Sequence, residues 1–214
     1  MANRSTSGFG LRAAMKLGNS PAISGQSKYA IKSGLGVGIF KGNPASIQLA
    51  GDTGYIQDSA FSTTDDGNDG GIDFTTANDA LLVGVHNGVF YIDGTTSKPT
   101  FANSVAASTT FGTNPNTNST DGVAFVNDDP DQEYVVKADA AVGQAIFGLC
   151  GNINDFAAGD AKDGASTATF DSGTQGETKM FRIVRSAEDP DNEDLTVAGA
   201  NIIVVINAAA NTYR

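Results

Sequence analysis

The sequence predicts an all-β protein with a sandwich or barrel-like body, an extended N-terminal arm and long surface loops. Three observations support this fold class: short apolar runs recur between turn-rich spacers, the 214 residues include 26 glycines, and few segments have a helical pattern. A chain of this length buries enough surface to fold without a disulfide or metal. One cysteine and one histidine exclude disulfide frameworks, Cys-rich zinc sites and multi-histidine metal sites.

Charge divides the chain into two predicted domains, a basic arm at 1–51 and an acidic all-β body at 52–214. The arm has six basic residues and no acidic one, whereas the body has 7 basic and 24 acidic residues, a net charge of −17. Opposite potentials orient the association of a protein with its partners. Because apolar residues in the arm are sparse, we expect it to lie extended on another surface, with a first strand near 29–31.

The arm is not expected to bind nucleic acid directly, because its charges are spread without a basic run and join an acidic body. No membrane association is expected either. The start of the chain lacks the apolar run of a signal peptide. The most apolar segment, 202–206, is far shorter than the roughly 20 residues of a membrane helix. We therefore expect synthesis in a reducing cytoplasm, with Cys150 as a small buried apolar residue.

The sequence predicts seven further short strands, one at the end of the arm and six in the body. Segments 81–85 and 88–93 fit either a tight hairpin, with His86 in the turn, or one bulged strand. Within 179–185, alternation places Phe181 and Ile183 on one face. Segment 140–159 is weakly helical and rich in glycine, and 102–121 is predicted to be a long exposed loop. The predicted strands are 46–50, 81–85, 88–93, 122–127, 132–138, 179–185 and 201–207.

No catalytic residue, metal site or cofactor is predicted. The glycine-rich segment 34–38 lacks the third glycine of a dinucleotide-binding loop, and neither a phosphate-binding P-loop nor a G-x-S-x-G nucleophile motif is present. Carboxylate pairs are too numerous in this acidic chain to indicate a glycosidase. The sequence therefore favours a binding or structural protein over an enzyme.

Two acidic clusters are candidate sites for cations. The first, at 65–73, resembles a calcium loop but lacks the acidic ligand at its last position. The second has five carboxylates within seven residues, which fits a solvated turn, a metal site or a contact with a basic surface. We interpret the second cluster as a contact between subunits. Its residues are Glu188, Asp189, Asp191, Glu193 and Asp194.

Four sequence blocks occur together in one order along the chain. The last, FRIVRSAEDPDNEDLTVAGANIIVVIN at 181–207, joins an arginine-bearing strand, an acidic turn and a terminal strand. The earlier blocks are GFGLR at 8–12, GVHNGVFYID at 84–93 with KPTF at 98–101, and NDDPDQEYVVKAD at 127–139. This ordered set resembles a group of small virion structural proteins of tailed bacteriophages.

The resemblance implies a virion component made in the bacterial host cytoplasm. Together with the basic arm, it predicts a decoration or cement protein on the outer capsid surface that binds the major capsid protein and stabilises the shell by bridging its subunits. A collar, tail or fibre component and a calcium-dependent binding module are the alternatives. We expect self-association as a trimer, with a dimer as the alternative. The expected capsid-binding residues are Arg4, Phe9, Leu11, Arg12, Lys16, Lys28, Lys32 and Lys41.

Overall fold

The predicted all-β class is confirmed. A computed structural model describes residues 3–18, 20–21, 25–47, 54–58, 82–154, 159–176, 179–208 and 211. These residues form fifteen strands, and the described part of the chain includes one short helical element, the 3-10 turn Gln144–Ile146. The strands pair antiparallel in sheets that do not close into a barrel, so the body is sandwich-like.

The largest sheet has seven strands in the order β13-β12-β14-β15-β11-β1-β2. Its central strand, β15, is buried at all six positions, which explains the run of consecutive apolar residues there. The strands of this sheet are β1 Arg12–Lys16, β2 Ser20–Pro21, β11 Gln132–Lys137, β12 Cys150–Asn154, β13 Thr169–Gln175, β14 Phe181–Ser186 and β15 Asn201–Ile206.

The second sheet follows the order β3-β10-β7-β5-β6, and β8 pairs with the other end of β7. A two-stranded sheet, β4 with β9, lies beside it. The strands of these two sheets are β3 Gln26–Ile31, β4 Ile39–Phe40, β5 Pro44–Ile47, β6 Ile56–Asp58, β7 Leu82–Ile92, β8 Pro99–Ala102, β9 Ser104–Val105 and β10 Gly122–Asn127.

Two apolar clusters form the core. The first lies on the seven-stranded sheet and includes Leu82 and Val85 of β7, so it links the two large sheets. The second lies on the six-stranded sheet and includes Ile39 and Val105 from the two-stranded sheet. Burial of these apolar side chains is the main favourable contribution to the stability of such a fold.

The N-terminal segment is not the separate extended arm that its composition predicts. The described part of 1–51 supplies β1 and β2 to the seven-stranded sheet, β3 and β5 to the six-stranded sheet, and β4 to the small sheet. Its first strand is therefore β1, ahead of the strand predicted near 29–31. The physical reason is that three of its apolar residues, Ile31, Ile39 and Ala45, are fully buried in the second core cluster. The boundary at 51–52 lies outside the described residues.

The two predicted segments 81–85 and 88–93 correspond to one bulged strand, β7 Leu82–Ile92, rather than to a hairpin. Phe125 of β10 pairs with Gly88 and Val126 pairs with His86, so Asn87 is the extra residue of a β-bulge. The prediction of His86 as a turn residue is wrong, because His86 lies inside β7 and is buried. The bulge at Asn87 accommodates the extra residue, so the strand continues through His86, Asn87 and Gly88, where the sequence resembles a turn.

Most other strand predictions agree with the structure within two residues at each end. Phe181 and Ile183 are both buried on one side of β14 while Arg182 is exposed, as the alternation predicts. Cys150 is buried and free. Segment 140–159, expected to be weakly helical, instead contains the 3-10 turn and β12. The predicted loop 102–121 is mostly exposed but includes the buried side chains of Val105 and Phe111.

Candidate functional site

The acidic turn at 188–194 binds the start of its own chain. The Asn3 side-chain amide donates to the carbonyl oxygens of Asp194 and Ala198, both at 3.0 Å. The backbone N–H of Asp194 donates back to Asn3 Oδ1 at 3.1 Å. Arg4 donates from its backbone to the Asp191 carbonyl at 3.0 Å and from Nη1 to Asp191 Oδ2 at 2.8 Å. The basic residue that contacts the acidic turn, Arg4, therefore belongs to the same chain.

Lys137 lies beneath this contact. Its Nζ donates to the Ser5 carbonyl oxygen at 2.8 Å, and to Asn192 Oδ1 and the Gly199 carbonyl oxygen at 3.3 Å each. The side chain is 3% exposed. Desolvation lowers the pKa of Lys137, while the negative charge of Asp189 opposes that shift. One ammonium group thus joins the N-terminal segment to β11 and to the acidic turn.

Hydrogen bonds hold the carboxylates of the turn in place. Asp189 accepts from the side-chain amides of Asn192 at 3.1 Å and Asn201 at 2.6 Å, and these bonds help to lower the pKa of Asp189. Asp194 accepts from the Thr196 hydroxyl at 2.6 Å, which lowers the pKa of Asp194. Both carboxylates therefore stabilise the turn in their ionised form.

The remaining residues of the acidic cluster face solvent. Glu188 and Glu193 are exposed, and Glu188 has a positive φ of 54°, in keeping with a sharp turn. Among the described residues, no group of three or more His, Cys, Asp or Glu side chains is arranged to hold a metal ion. The other acidic cluster, at 65–73, lies outside the described residues.

Phe9, Arg12 and Lys41 line one crevice where the two large sheets meet. The crevice has a volume of about 570 Å³. The Arg12 guanidinium carbon lies 4.2 Å from the centroid of the Phe9 ring, a cation–π contact. Arg12 and Lys41 are exposed. Leu11, which was expected to contact a capsid, is instead 3% exposed and belongs to the first core cluster.

The other predicted basic residues are spread over the surface. Lys16 forms an ion pair with Asp129. Lys28 is exposed on β3, and Lys32 is exposed just beyond the end of that strand. The eight expected capsid-binding residues are therefore not one patch. They are divided between the acidic turn, the crevice, the edge of the seven-stranded sheet and the outer side of the six-stranded sheet.

A cluster of three phenylalanines was missed by the sequence analysis. Phe90 and Phe101 have ring centroids 4.5 Å apart, and those of Phe101 and Phe125 are 6.4 Å apart. Phe101 is 74% exposed. The sequence signal was the phenylalanine of the PTFA segment, whose exposure depends on the pairing of β8 with β7. We call the surface formed by Phe90, Phe101, Phe125, Val123, Ala30 and Lys28 the aromatic face.

Arg185 of β14 and Glu133 of β11 form an ion pair across β15 in the seven-stranded sheet. The two guanidinium nitrogens of Arg185 bind the two carboxylate oxygens of Glu133 at 2.8 and 2.6 Å. Glu133 is fully buried, and its hydrogen bonds raise the pKa of Arg185. This bidentate pair neutralises a buried carboxylate and is a structural feature of the sheet.

Within the described residues, no helix is long and apolar enough to cross a membrane. Comparison of the chain with protein-family models, with curated proteins and with solved structures found no match. In the structure, the blocks at 84–93, 127–139 and 181–207 contain most of β7, all of β11 and both β14 and β15.

Proposed function

We propose that this protein is a capsid decoration or cement protein of a tailed bacteriophage, which binds the outer surface of the major capsid protein shell and bridges neighbouring subunits. The sequence blocks support a virion role. The observation that carries the binding role is the set of exposed cations Arg12, Lys28 and Lys41, none of which forms an ion pair with another described residue. All three come from segment 1–51, which has six basic residues and no acidic residue.

These cations favour an acidic partner. The whole chain has a formal charge of −11, so a strongly acidic surface would repel most of it. The exposed cations of the acid-free segment 1–51 provide a region that attracts such a surface. Electrostatic complementarity of this kind orients the approaching protein and excludes the wrong face.

Bridging requires contacts with more than one capsid subunit. Arg12 and Lys41 lie at the crevice, whereas Lys28 lies on the outer side of the six-stranded sheet, so the cations can meet different subunits. Each exposed ion pair contributes little, about 0.2–1 kcal/mol. Many copies with several contacts each can nevertheless stabilise a shell through multivalency.

The structure changes how the N-terminal segment contributes to the proposed binding. An extended arm would lose roughly 1–2 kcal/mol of conformational entropy per residue when it became ordered on the capsid. Here strands β1 to β5 are already paired within the sandwich. The proposed docking is therefore that of a preorganised surface, with a smaller ordering cost. Self-association as a trimer, or alternatively a dimer, at a symmetry axis of the shell would multiply these contacts.

The first experiment measures binding to purified shells that lack this protein. The test variant carries Arg12→Ala and Lys41→Ala, and the matched control carries Arg182→Ala and Lys162→Ala, which remove the same charges from exposed positions in the body. Loss of two exposed ion pairs predicts roughly 2- to 30-fold weaker binding for the test variant. Equal binding of the test and control variants would contradict a role for the crevice cations.

Cryo-electron microscopy of the intact virion distinguishes the proposed function from its alternative. The proposal predicts density for this chain on the outer shell, in contact with at least two capsid subunits per copy. Density confined to the portal, collar, tail or fibres would overturn capsid decoration and would leave the virion resemblance intact.

A further inference from the structure

The aromatic face is an apolar surface built by strand register. Phe101 of β8 pairs with Phe90 of β7, Phe90 pairs with Val123 of β10, and Val123 pairs with Ala30 of β3. Residues directly opposite one another on antiparallel strands present their side chains on the same side of a sheet. This register therefore places four apolar side chains in one row. In the neighbouring row, Phe125 lies opposite Lys28.

The aromatic face is not needed to build the core. Residues that alternate with it, Val89, Ala124 and Val126, point to the opposite side of the sheet and are buried in the second core cluster. Phe101, by contrast, is 74% exposed and contacts the rings of Phe90 and Phe125. Phe90, Val123 and Phe125 are half-buried around it, so the face is a partly exposed apolar patch, a feature that is typical of interaction sites. Aromatic side chains are also the residues that most often dominate binding energy.

The aromatic face carries positive charge and no negative charge. No Asp or Glu occurs in β3, β7, β8 or β10, and Lys28 is the one charged residue in these four strands.

The carboxylates that flank these strands have partners within the chain. Tyr29 donates to Asp128 at 2.8 Å and Tyr55 to Asp121 at 3.2 Å, and Thr96 donates to Asp93. The face therefore combines an apolar centre with a cation.

We propose that the aromatic face docks onto a protein surface with an apolar centre bordered by carboxylates, on the major capsid protein shell. This inference rests on the proposed function and names one of the surfaces that would contact the shell, in addition to the crevice cations. Charge complementarity favours this occupant, since the exposed Lys28 attracts a carboxylate and repels a basic surface. A second copy that docked through the same face would present no carboxylate to Lys28. Phe101 is the central apolar anchor, and Lys28 sets the orientation.

The test compares three single variants for co-sedimentation with shells that lack this protein. Phe101→Ser removes the anchor, Lys28→Glu reverses the charge, and Leu149→Ser is the control. Leu149 is 43% exposed, and it precedes β12 of the other large sheet. Thermal unfolding checks that all three variants fold. We expect Phe101→Ser to weaken binding roughly 10- to 30-fold at any salt concentration, as loss of an anchor does. Lys28→Glu should weaken binding most at low salt, and Leu149→Ser should bind like the wild type.

The outcomes separate this proposal from the proposed function. If the wild type does not sediment with shells, capsid decoration itself fails. If the wild type binds and the folded Phe101→Ser variant binds equally well, the aromatic face is not the docking surface, although capsid decoration stands. Sedimentation velocity without shells provides the second measurement. A wild-type oligomer that Phe101→Ser dissociates, with shell binding unchanged, would assign the face to a second copy and overturn the proposal.

Discussion

The ammonium group of Lys137 lies 2.8 Å from the carbonyl oxygen of Ser5, although 132 residues separate them in the chain. This bond joins β11, near the centre of the seven-stranded sheet, to the first described residues of the N-terminal segment. The same ammonium group contacts Asn192 in the acidic turn. The N-terminal segment and the acidic turn are therefore one hydrogen-bonded unit, held together by a buried cation.

Replacement of Lys137 by methionine should destabilise the protein by about 2–3 kcal/mol. Methionine retains much of the buried apolar stem but leaves the Ser5 and Gly199 carbonyl oxygens without their charged donor, and hydrogen bonds to charged groups contribute about 1.5–3 kcal/mol. Chemical denaturation measures the change. Lys162→Met is the control, since Lys162 is exposed and a surface substitution should change the stability by less than about 0.5 kcal/mol. Equal stability of the two variants would contradict this role of Lys137.

Arg185→Met should lower the free energy of unfolding by more than Arg182→Met does, because Arg182 is exposed on the same strand. Arg185→Met leaves the fully buried Glu133 carboxylate without its bidentate partner, and a broken buried pair costs about 3–5 kcal/mol. The double variant Arg185→Met with Glu133→Leu removes the unpaired charge as well. It should therefore be more stable than Arg185→Met alone. A double-mutant cycle by denaturant unfolding checks both statements, and additive effects would show that the two side chains are not coupled.

The sequence predicts the fold well where strand pattern is local. Alternating or continuous apolar runs identified β10, β11 and β15 because burial within one strand is visible in its own residues. The N-terminal strands were missed as parts of the sandwich because their pairing is distant. β1, for example, pairs with β11, more than a hundred residues away. Composition alone made this glycine-rich segment look like an arm.

The candidate site was less predictable because its contacts, too, join residues that are far apart in the sequence. The acidic turn and Arg4 were both identified as charged features, but their contact across 187 residues is set by tertiary structure. The exposure of Phe101 depends on which face of β8 points outward, and that is fixed by its pairing with Phe90. The pattern of residues along one sequence contains no signal for either of these long-range contacts.

Gly84 should not tolerate a side chain, because β7 packs there against backbone. A Cβ atom at Gly84 would lie 2.0 Å from the Asn127 carbonyl oxygen, and backbone cannot move away as a flexible side chain can. Gly84→Ala should therefore destabilise the fold by at least the roughly 1–3 kcal/mol typical of overpacking. Gly36→Ala is the matched control, since a Cβ atom there meets nothing within 4 Å. Thermal unfolding of both variants measures the difference, and similar melting temperatures would contradict the close approach.

His86 should make the stability of the protein fall as the pH drops from about 6.5 to about 4. Burial lowers the pKa of His86 from 6.5 to about 4, and its Nε2 lies 3.3 Å from the Gln57 carbonyl oxygen. Above pH 6.5 the imidazole is neutral in both the folded and unfolded states, so the full stability is present. Between pH 6.5 and 4 the unfolded chain binds a proton that the folded protein excludes. Linkage then predicts a loss of about 3 kcal/mol across this window, with no further loss from His86 below it.

The chain contains one histidine, which makes this pH dependence assignable to a single side chain. Unfolding free energies measured from pH 7.5 to 4 should show the slope in the wild type and a much smaller one in His86→Gln, whose amide can still donate to the Gln57 carbonyl. Below about pH 4 both proteins should lose stability as Asp189 and Asp194 become protonated, because the pKa of each is lowered in the folded state. An unchanged slope in His86→Gln would show that other groups cause it, and the buried imidazole would then have no part in the acid sensitivity of the fold.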